Sequence, residues 1–243
     1  MGILATLPDV SEVTFFACNL NEYELQVLVK GIRNFMNLKS LHVEGNNVKN
    51  ITVLSSLVNL DSLSVRSNNL KHIAALSKLI NLKYLDVGNN KIEDISPLTK
   101  LIDLTHLIIH KNRISEISVL SKLINLGHLE LRHNQIIDVR PLSALINLGH
   151  LGLSHNQIID VRPLSALINL GHLSLHHNQI IDVRPLSALT KLWHLWLNHN
   201  NVTMIRDLSS LINLKKLYLH NNPINKTNIN ALQNELPHAE IVT

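Results

Sequence analysis

Residues 123–144 read LINLGHLELRHNQIIDVRPLSA, and this stretch decides the fold. The next two blocks, 145–166 (LINLGHLGLSHNQIIDVRPLSA) and 167–188 (LINLGHLSLHHNQIIDVRPLSA), repeat it with changes at two positions only. Counting Leu123 as position 1, apolar residues occupy positions 1, 4, 7, 9, 14, 17 and 20, and an asparagine occupies position 12. The alternation at 7 and 9 has the period of a strand. Leu129 and Leu131 therefore point inward, while positions 6, 8 and 10 point outward. The second half of each block holds a proline and too few residues for a regular α-helix, which predicts a 3₁₀ or extended return.

Working outward, the same frame starts at Phe35, Leu57, Leu79, Leu101, Leu123, Leu145, Leu167, Leu189 and Leu211, each start 22 residues after the last. Position 12 is Asn46, Asn68, Asn90, Asn112, Asn134, Asn156, Asn178, Asn200 and Asn222. An amide at that point can satisfy backbone groups that turn out of the strand in the neighbouring coil, which predicts an internal asparagine ladder. A regular period of this length identifies a stack of near-identical layers, each covering the apolar face of the next.

The frame LxxLxxLxLxxNxIxxIxxL resembles the 22-residue class of leucine-rich repeats, known from internalins and from a nuclear regulator of protein phosphatase type one. The resemblance runs along nearly the whole chain. It implies an α/β solenoid: a right-handed horseshoe with a parallel β-sheet on the concave face, short 3₁₀ or extended convex returns and about ten repeats. Residues 35–222 hold the nine 22-residue repeats. Residues 1–34 form an N-terminal capping repeat, in which Val10, Val13 and Phe15 follow the strand frame and Cys18 takes the asparagine slot. Cys18 is accordingly expected to be a buried ladder residue. The following NEYELQVLVKGIRN has helical spacing. Residues 223–243 form a C-terminal cap, with a helix starting near Thr227 and AEIV as a last strand.

Composition fits this reading. Apolar residues make up 45% of the chain and aromatic residues 3%, so the core is built from similar aliphatic side chains. The formal charge of +4 is spread without clustering, which argues against nucleic acid. One cysteine excludes an internal disulfide and suits a reducing compartment. No run of apolar residues is long enough to span a membrane. The opening MGILATLPDV lacks the basic and apolar regions of a secretory signal; Met1, Gly2 and Thr6 fit a short myristoylation pattern that the first repeat also explains. With eight glycines, no glycine-rich phosphate loop, and no enclosed nucleophile and base, the chain reads as a non-enzyme without cofactors.

The outward row is where function is expected. Of the fifteen histidines, all but His72 and His238 fall on the outward side of a strand segment. His106, His128, His150, His172 and His194 share position 6; His133, His155, His177 and His199 share position 11; His110, His176 and His220 share position 10. Three readings remain open for them. Duplication copied a small polar side chain that suits a crowded surface, or the columns form a binding surface whose charge changes near pH 6.5, or His155, His176, His177 and His199 bind zinc.

The three near-identical repeats differ only at Glu130 and Arg132, Gly152 and Ser154, Ser174 and His176, all outward. Trp193, Trp196 and Tyr218 add aromatic anchors of the kind enriched in interfaces, beside Asn198. Arg66, Tyr84 and Asp86 lie outward nearer the N-terminus. On the return side, Asp138, Asp160 and Asp182 face Arg140, Arg162 and Arg184 as solvated ion pairs of small individual worth.

Of the residues named above, Arg66, Tyr84, Asp86, His106, His110, His128, Glu130, Arg132, His150, His172, His176, Trp193, His194, Trp196, Asn198, Tyr218 and His220 are the candidate partner-binding residues, with no catalytic or metal residue assigned. The resemblance implies a non-enzymatic module, monomeric on its own, that binds another protein on the concave face. A bacterial effector or regulator that occludes a partner enzyme is the leading form, acting in the cytoplasm or delivered into a host cell. A phosphatase-regulatory subunit, a surface adhesin and a histidine-rich metal-binding solenoid are the alternatives.

Overall fold

The computed structural model describes residues 10–32 and 37–243. The start of the first repeat at Phe35, and Met1, Gly2 and Thr6, lie outside the described residues. Two compact units divide the chain, one ending at Ile114 and the other spanning Ser115–Thr243.

In the first unit, β1 (Glu12–Thr14) precedes helix α1 (Glu22–Ile32), and then come β2 (Ser40–His42), β3 (Ser62–Ser64), β4 (Tyr84–Asp86) and β5 (His106–Ile108). All pair in parallel in chain order, with Leu41 opposite Leu63, Leu63 opposite Leu85 and Leu85 opposite Leu107. The second unit holds β6 (His128–Glu130), β7 (His150–Gly152), β8 (His172–Ser174), β9 (His194–Trp196), β10 (Lys216–Tyr218), helix α2 (Lys226–Glu235) and β11 (Glu240–Val242). These strands also pair in parallel and in order, with Leu129 opposite Leu151 and Leu151 opposite Leu173. This is the leucine-rich-repeat solenoid architecture, built layer by layer within each unit.

The returns are 3₁₀ turns, as in Arg140–Ala144 and Arg162–Ala166. Asp138 Oδ1 accepts the Arg140 N–H at 2.9 Å, Pro141 fixes φ in the first turn, and Leu142 N–H donates to Val139 at 3.0 Å. Leu129, Leu131, Ile136, Leu142 and their equivalents in the following layers are fully buried. Each such side chain stabilises the fold by roughly 1.5–3 kcal/mol relative to exposure.

The asparagine ladder is present. Asn156 Oδ1 accepts Ile136 N–H at 3.0 Å from the preceding layer, while its Nδ2 donates to Leu131 at 3.1 Å and to Leu153 at 3.0 Å. A second amide row at position 3 escaped the sequence reading: Asn147, Asn169 and Asn213 each donate to a carbonyl of the previous layer, Ile124, Ile146 and Thr190.

Both helices form where the spacing places them. Asn21 opens α1 with a capping box, its Oδ1 accepting from Tyr23 and Glu24 while Glu24 accepts the Asn21 N–H at 2.8 Å. Asn225 caps α2 by accepting from Asn228 at 2.7 Å. Cys18 corrects the expectation of a buried ladder residue: it is exposed, and its thiol donates locally to the Phe16 carbonyl at 3.4 Å. A ladder side chain is buried by the layer before it, and no described layer stacks on the outer side of β1. Asn46 instead closes this end, accepting from Leu20 and donating to Phe15.

Candidate interaction surface

In the first unit the outward row is partly closed. Arg66 and His106 are exposed and Tyr84 is half-buried, with the rings of Tyr84 and His106 6.2 Å apart. Asp86 and His110, placed outward by the alternation, are buried at 4% and 5% exposure. They close over Gly88, where an added Cβ would lie 2.7 Å from the His110 ring and 3.0 Å from the Asp86 carboxylate. Burial raises the Asp86 pKa, although its acceptance of the Gly88 N–H and the charge of Arg66 pull the other way. These two side chains fill space left by a missing Cβ and offer a partner little surface.

The second unit brings most of its candidates together. Down position 6, the rings of His128 and His150 stack at 4.2 Å, His150 and His172 lie 5.9 Å apart, and a 3.1 Å hydrogen bond joins the Nδ1 atoms of His172 and His194. Trp196 and Tyr218 stack at 5.7 Å with their planes 4° apart, and His194 lies 5.6 Å from Trp196. Trp193 stands at the edge, half exposed, with the Lys215 ammonium 5.1 Å from its ring. Asn198 is buried at 8% exposure, while His220 packs edge-on against His199 at 5.4 Å.

Glu130, Arg132, His150, Ser154, His176 and Trp196 line an open cleft of about 290 Å³. Glu130 accepts a 2.7 Å hydrogen bond from His150 Nε2, and Arg132 Nε lies 3.7 Å from its other oxygen. Burial pushes the Glu130 carboxyl up, but His150, Arg132 and His128 more than offset this and hold it below the usual value. His176, which is hydrogen-bonded to Ser174 at 2.9 Å, is pushed down to about 4 by burial and by the surrounding His155, His177, His133 and His199.

The two long histidine columns have different causes. At position 11 the backbone is left-handed in every repeat described, with φ of 54–56° at His133, His155, His177 and His199. That conformation lets each N–H bond the next layer, as His133 does to Ser154 at 2.9 Å, while the chain turns out of the strand. Among non-glycine residues, asparagine and histidine tolerate it best. Gly45, Asn89 and Asn221 at the same position carry the signal, which sequence reasoning missed. The four imidazoles then stack at 3.9–4.1 Å as a consequence of the layer spacing. Position 6 lies in the strand and imposes no such demand.

Zinc was expected, if anywhere, at His155, His176, His177 and His199. His155, His177 and His199 stack in a row, and among the described residues no three of these four side chains bring ligand atoms within 4.8 Å of one another. Among the described residues, the group whose ligand atoms approach within 4.8 Å of one another is His128, Glu130 and His150.

Comparison with known proteins places the architecture. Residues 58–100 match the family model for leucine-rich repeats in two copies, and residues 213–234 match a single leucine-rich repeat. The chain is a leucine-rich-repeat protein. A search of curated proteins gives no match. Among solved structures, internalin C2 of Listeria monocytogenes is 32% identical, with 82% of this chain and 84% of that one covered and a TM-score of 0.73. Within the repeat proteins the chain belongs to the internalin-like class. A leucine-rich-repeat protein of Leptospira interrogans is 29% identical over 88% of this chain and 57% of that one, with a TM-score of 0.83. An internalin (inlF) of L. monocytogenes shares the fold with a TM-score of 0.81 at 24% identity, over 98% of this chain and 82% of that one.

No helix among the described residues is long and apolar enough to cross a membrane.

Proposed function

We propose that the chain is a non-catalytic module that binds another protein on the outward strand row of its second unit. The stacked Trp196 and Tyr218 beside the cleft lined by Glu130, Arg132 and His176 carry this reading. Large aromatic side chains held in place bury much area at small entropic cost, and flanking charges set orientation and partner choice. Membership of the internalin-like class favours a bacterial protein, monomeric before binding, that masks a regulatory or catalytic surface of its partner in the cytoplasm or after delivery into a host cell.

Affinity capture with two folded variants tests the reading. Replacing Glu130, Trp196 and Tyr218 with alanine is expected to lower capture of the partner at least tenfold. Replacing Asp138, Asp160 and Asp182 on the return side is expected to leave it unchanged. Equal capture by the wild type and the strand-row variant would place the interface elsewhere.

A further inference from the structure

Glu130 is built into its position more tightly than a solvated surface carboxylate. Its side chain crosses from β6 over β7, where residue 152 is glycine and an added Cβ would collide with the carboxylate. One oxygen accepts the 2.7 Å hydrogen bond from His150. The other, Oε2, is buried and has no hydrogen-bond partner, with the Arg132 Nε 3.7 Å away. The His128 ring stacks on that of His150, and one ligand atom from each of the three side chains lies within 4.8 Å of the other two. A buried carboxylate oxygen without a donor is a cost the fold carries, and a divalent cation bound to the same carboxylate would offset it.

We infer that His128, Glu130 and His150 form a binding site for a divalent metal ion of borderline softness, with Zn²⁺ as the best fit. Two imidazoles and a carboxylate are a zinc ligand set, and three protein ligands leave a further coordination position for water or a donor atom from a bound partner. The metal replaces the proton between His150 Nε2 and Glu130 Oε1. Their separation then widens from 2.7 Å to about 3.3 Å, the spacing of two ligands at zinc–nitrogen and zinc–oxygen distances near 2.0–2.1 Å. His128 must turn out of its stack to aim a lone pair at the same point. The terminal torsion of histidine is broad, so this costs little.

The charges around the site are Arg132, half exposed and long enough to swing outward, and His172, whose ring lies 5.9 Å from His150. Neither the position-11 stack nor the edge tryptophan contributes a ligand. The site stands whether or not the partner-binding reading holds, because its donors are all in this chain.

Untagged protein titrated calorimetrically with ZnCl₂ at pH 7.5 tests the inference, since the fifteen histidines invite adventitious binding. One equivalent of zinc is expected to bind with micromolar or tighter affinity. Glu130→Gln and His150→Asn are each expected to weaken it at least tenfold, with the metal-free melting temperature and far-ultraviolet circular dichroism unchanged. His177→Asn, in the neighbouring stack, is expected to bind as the wild type does. Arg132→Ala is expected to bind severalfold more tightly, through removal of a repelling charge. Co²⁺ in place of zinc should give the visible absorption of a four-coordinate site in the wild type and lose it in Glu130→Gln. Zinc affinity unaltered by Glu130→Gln, or lost only in His177→Asn, would overturn the site; if His150→Asn fails to fold, Glu130→Gln decides alone.

Discussion

Replacing Asn156 with alanine removes one rung of the internal ladder, and the structure sets the size of the loss. The side chain is 8% exposed. Its Oδ1 is the acceptor for Ile136 N–H, which is left buried without a partner, at a cost of about 1–3 kcal/mol. Its Nδ2 donates to Leu131 and Leu153, but each of those carbonyls keeps a second amide donor, Asn134 at 2.9 Å and Asn178 at 3.0 Å. Their share is therefore that of two ordinary hydrogen bonds between neutral groups, about 0.5–1 kcal/mol each. The total expected is about 3 kcal/mol, measured by urea unfolding followed by circular dichroism, against a Gln157→Ala control at the adjacent exposed position, which should change stability by less than about 0.5 kcal/mol. An Asn156→Asp variant keeps an acceptor for Ile136 but aims a carboxylate at two carbonyls. It should lose at least as much at pH 7 and recover part of that, relative to the wild type at the same pH, as acid supplies a donor proton. A loss for Asn156→Ala below about 1 kcal/mol would refute the reasoning, because it would mean that water or a shifted backbone replaces the amide.

Two further outcomes are expected. Gly152→Ala should leave stability within about 1 kcal/mol of the wild type: a strand interior gains from losing glycine, and the collision is with the mobile end of a side chain, so Glu130 moves and gives up one hydrogen bond. Carbon-detected nuclear magnetic resonance should then show the Glu130 carboxyl titrating higher, and a loss above about 2 kcal/mol would contradict this account. Burial and mutual repulsion depress His155, His172, His176 and His177, with His176 near 4, so the unfolded chain binds more protons than the folded one between pH 4 and an ordinary histidine value of about 6.5. Their contribution is complete above pH 6.5 and is lost as pH falls toward 4. Melting temperature should fall across that window, less steeply in a His155→Asn, His177→Asn variant that keeps side chains suited to a left-handed backbone. Parallel profiles for the two proteins would exclude the stack as the cause.

The frame of the fold was legible because its physics is periodic. Leucine at position 7 and asparagine at position 12 each impose one local geometry, and nine copies remove the ambiguity of any single one; position 9 is leucine, valine or isoleucine throughout, and proline opens the return in four of the repeats. What the sequence did not disclose depends on neighbours one layer away. Alternation puts Asp86 and Glu130 alike on the outward side, yet Asp86 is buried over Gly88 and Glu130 is drawn across Gly152. Cys18 was misread because the frame predicts a ladder slot wherever the spacing recurs, while burial there needs a preceding layer. The position-3 amides were visible as letters, but nothing in a one-dimensional pattern says that each reaches back to a carbonyl in the previous turn.

The comparison of columns separates what the repeat requires from what it permits. Position 11 takes a left-handed backbone in every described repeat, at its histidines, asparagines and glycine and also at Ser67 and Lys111, so one conformational demand is met by several residue types and the stacking of the histidines needs no functional cause. Positions 8 and 10 carry no backbone demand, and they are where three otherwise identical repeats diverge. Divergence there is still not independent from layer to layer. Glu130 can reach His150 only because residue 152 lacks a Cβ, so a glutamate at position 8 of one repeat and a glycine at position 8 of the next form one feature shared by two repeats. A third copy carries Ser174 and His176, hydrogen-bonded to each other within their own layer, and needs no such partner. The outward surface therefore varies in units larger than one repeat, and a substitution at position 8 has to be judged with the residue 22 positions along.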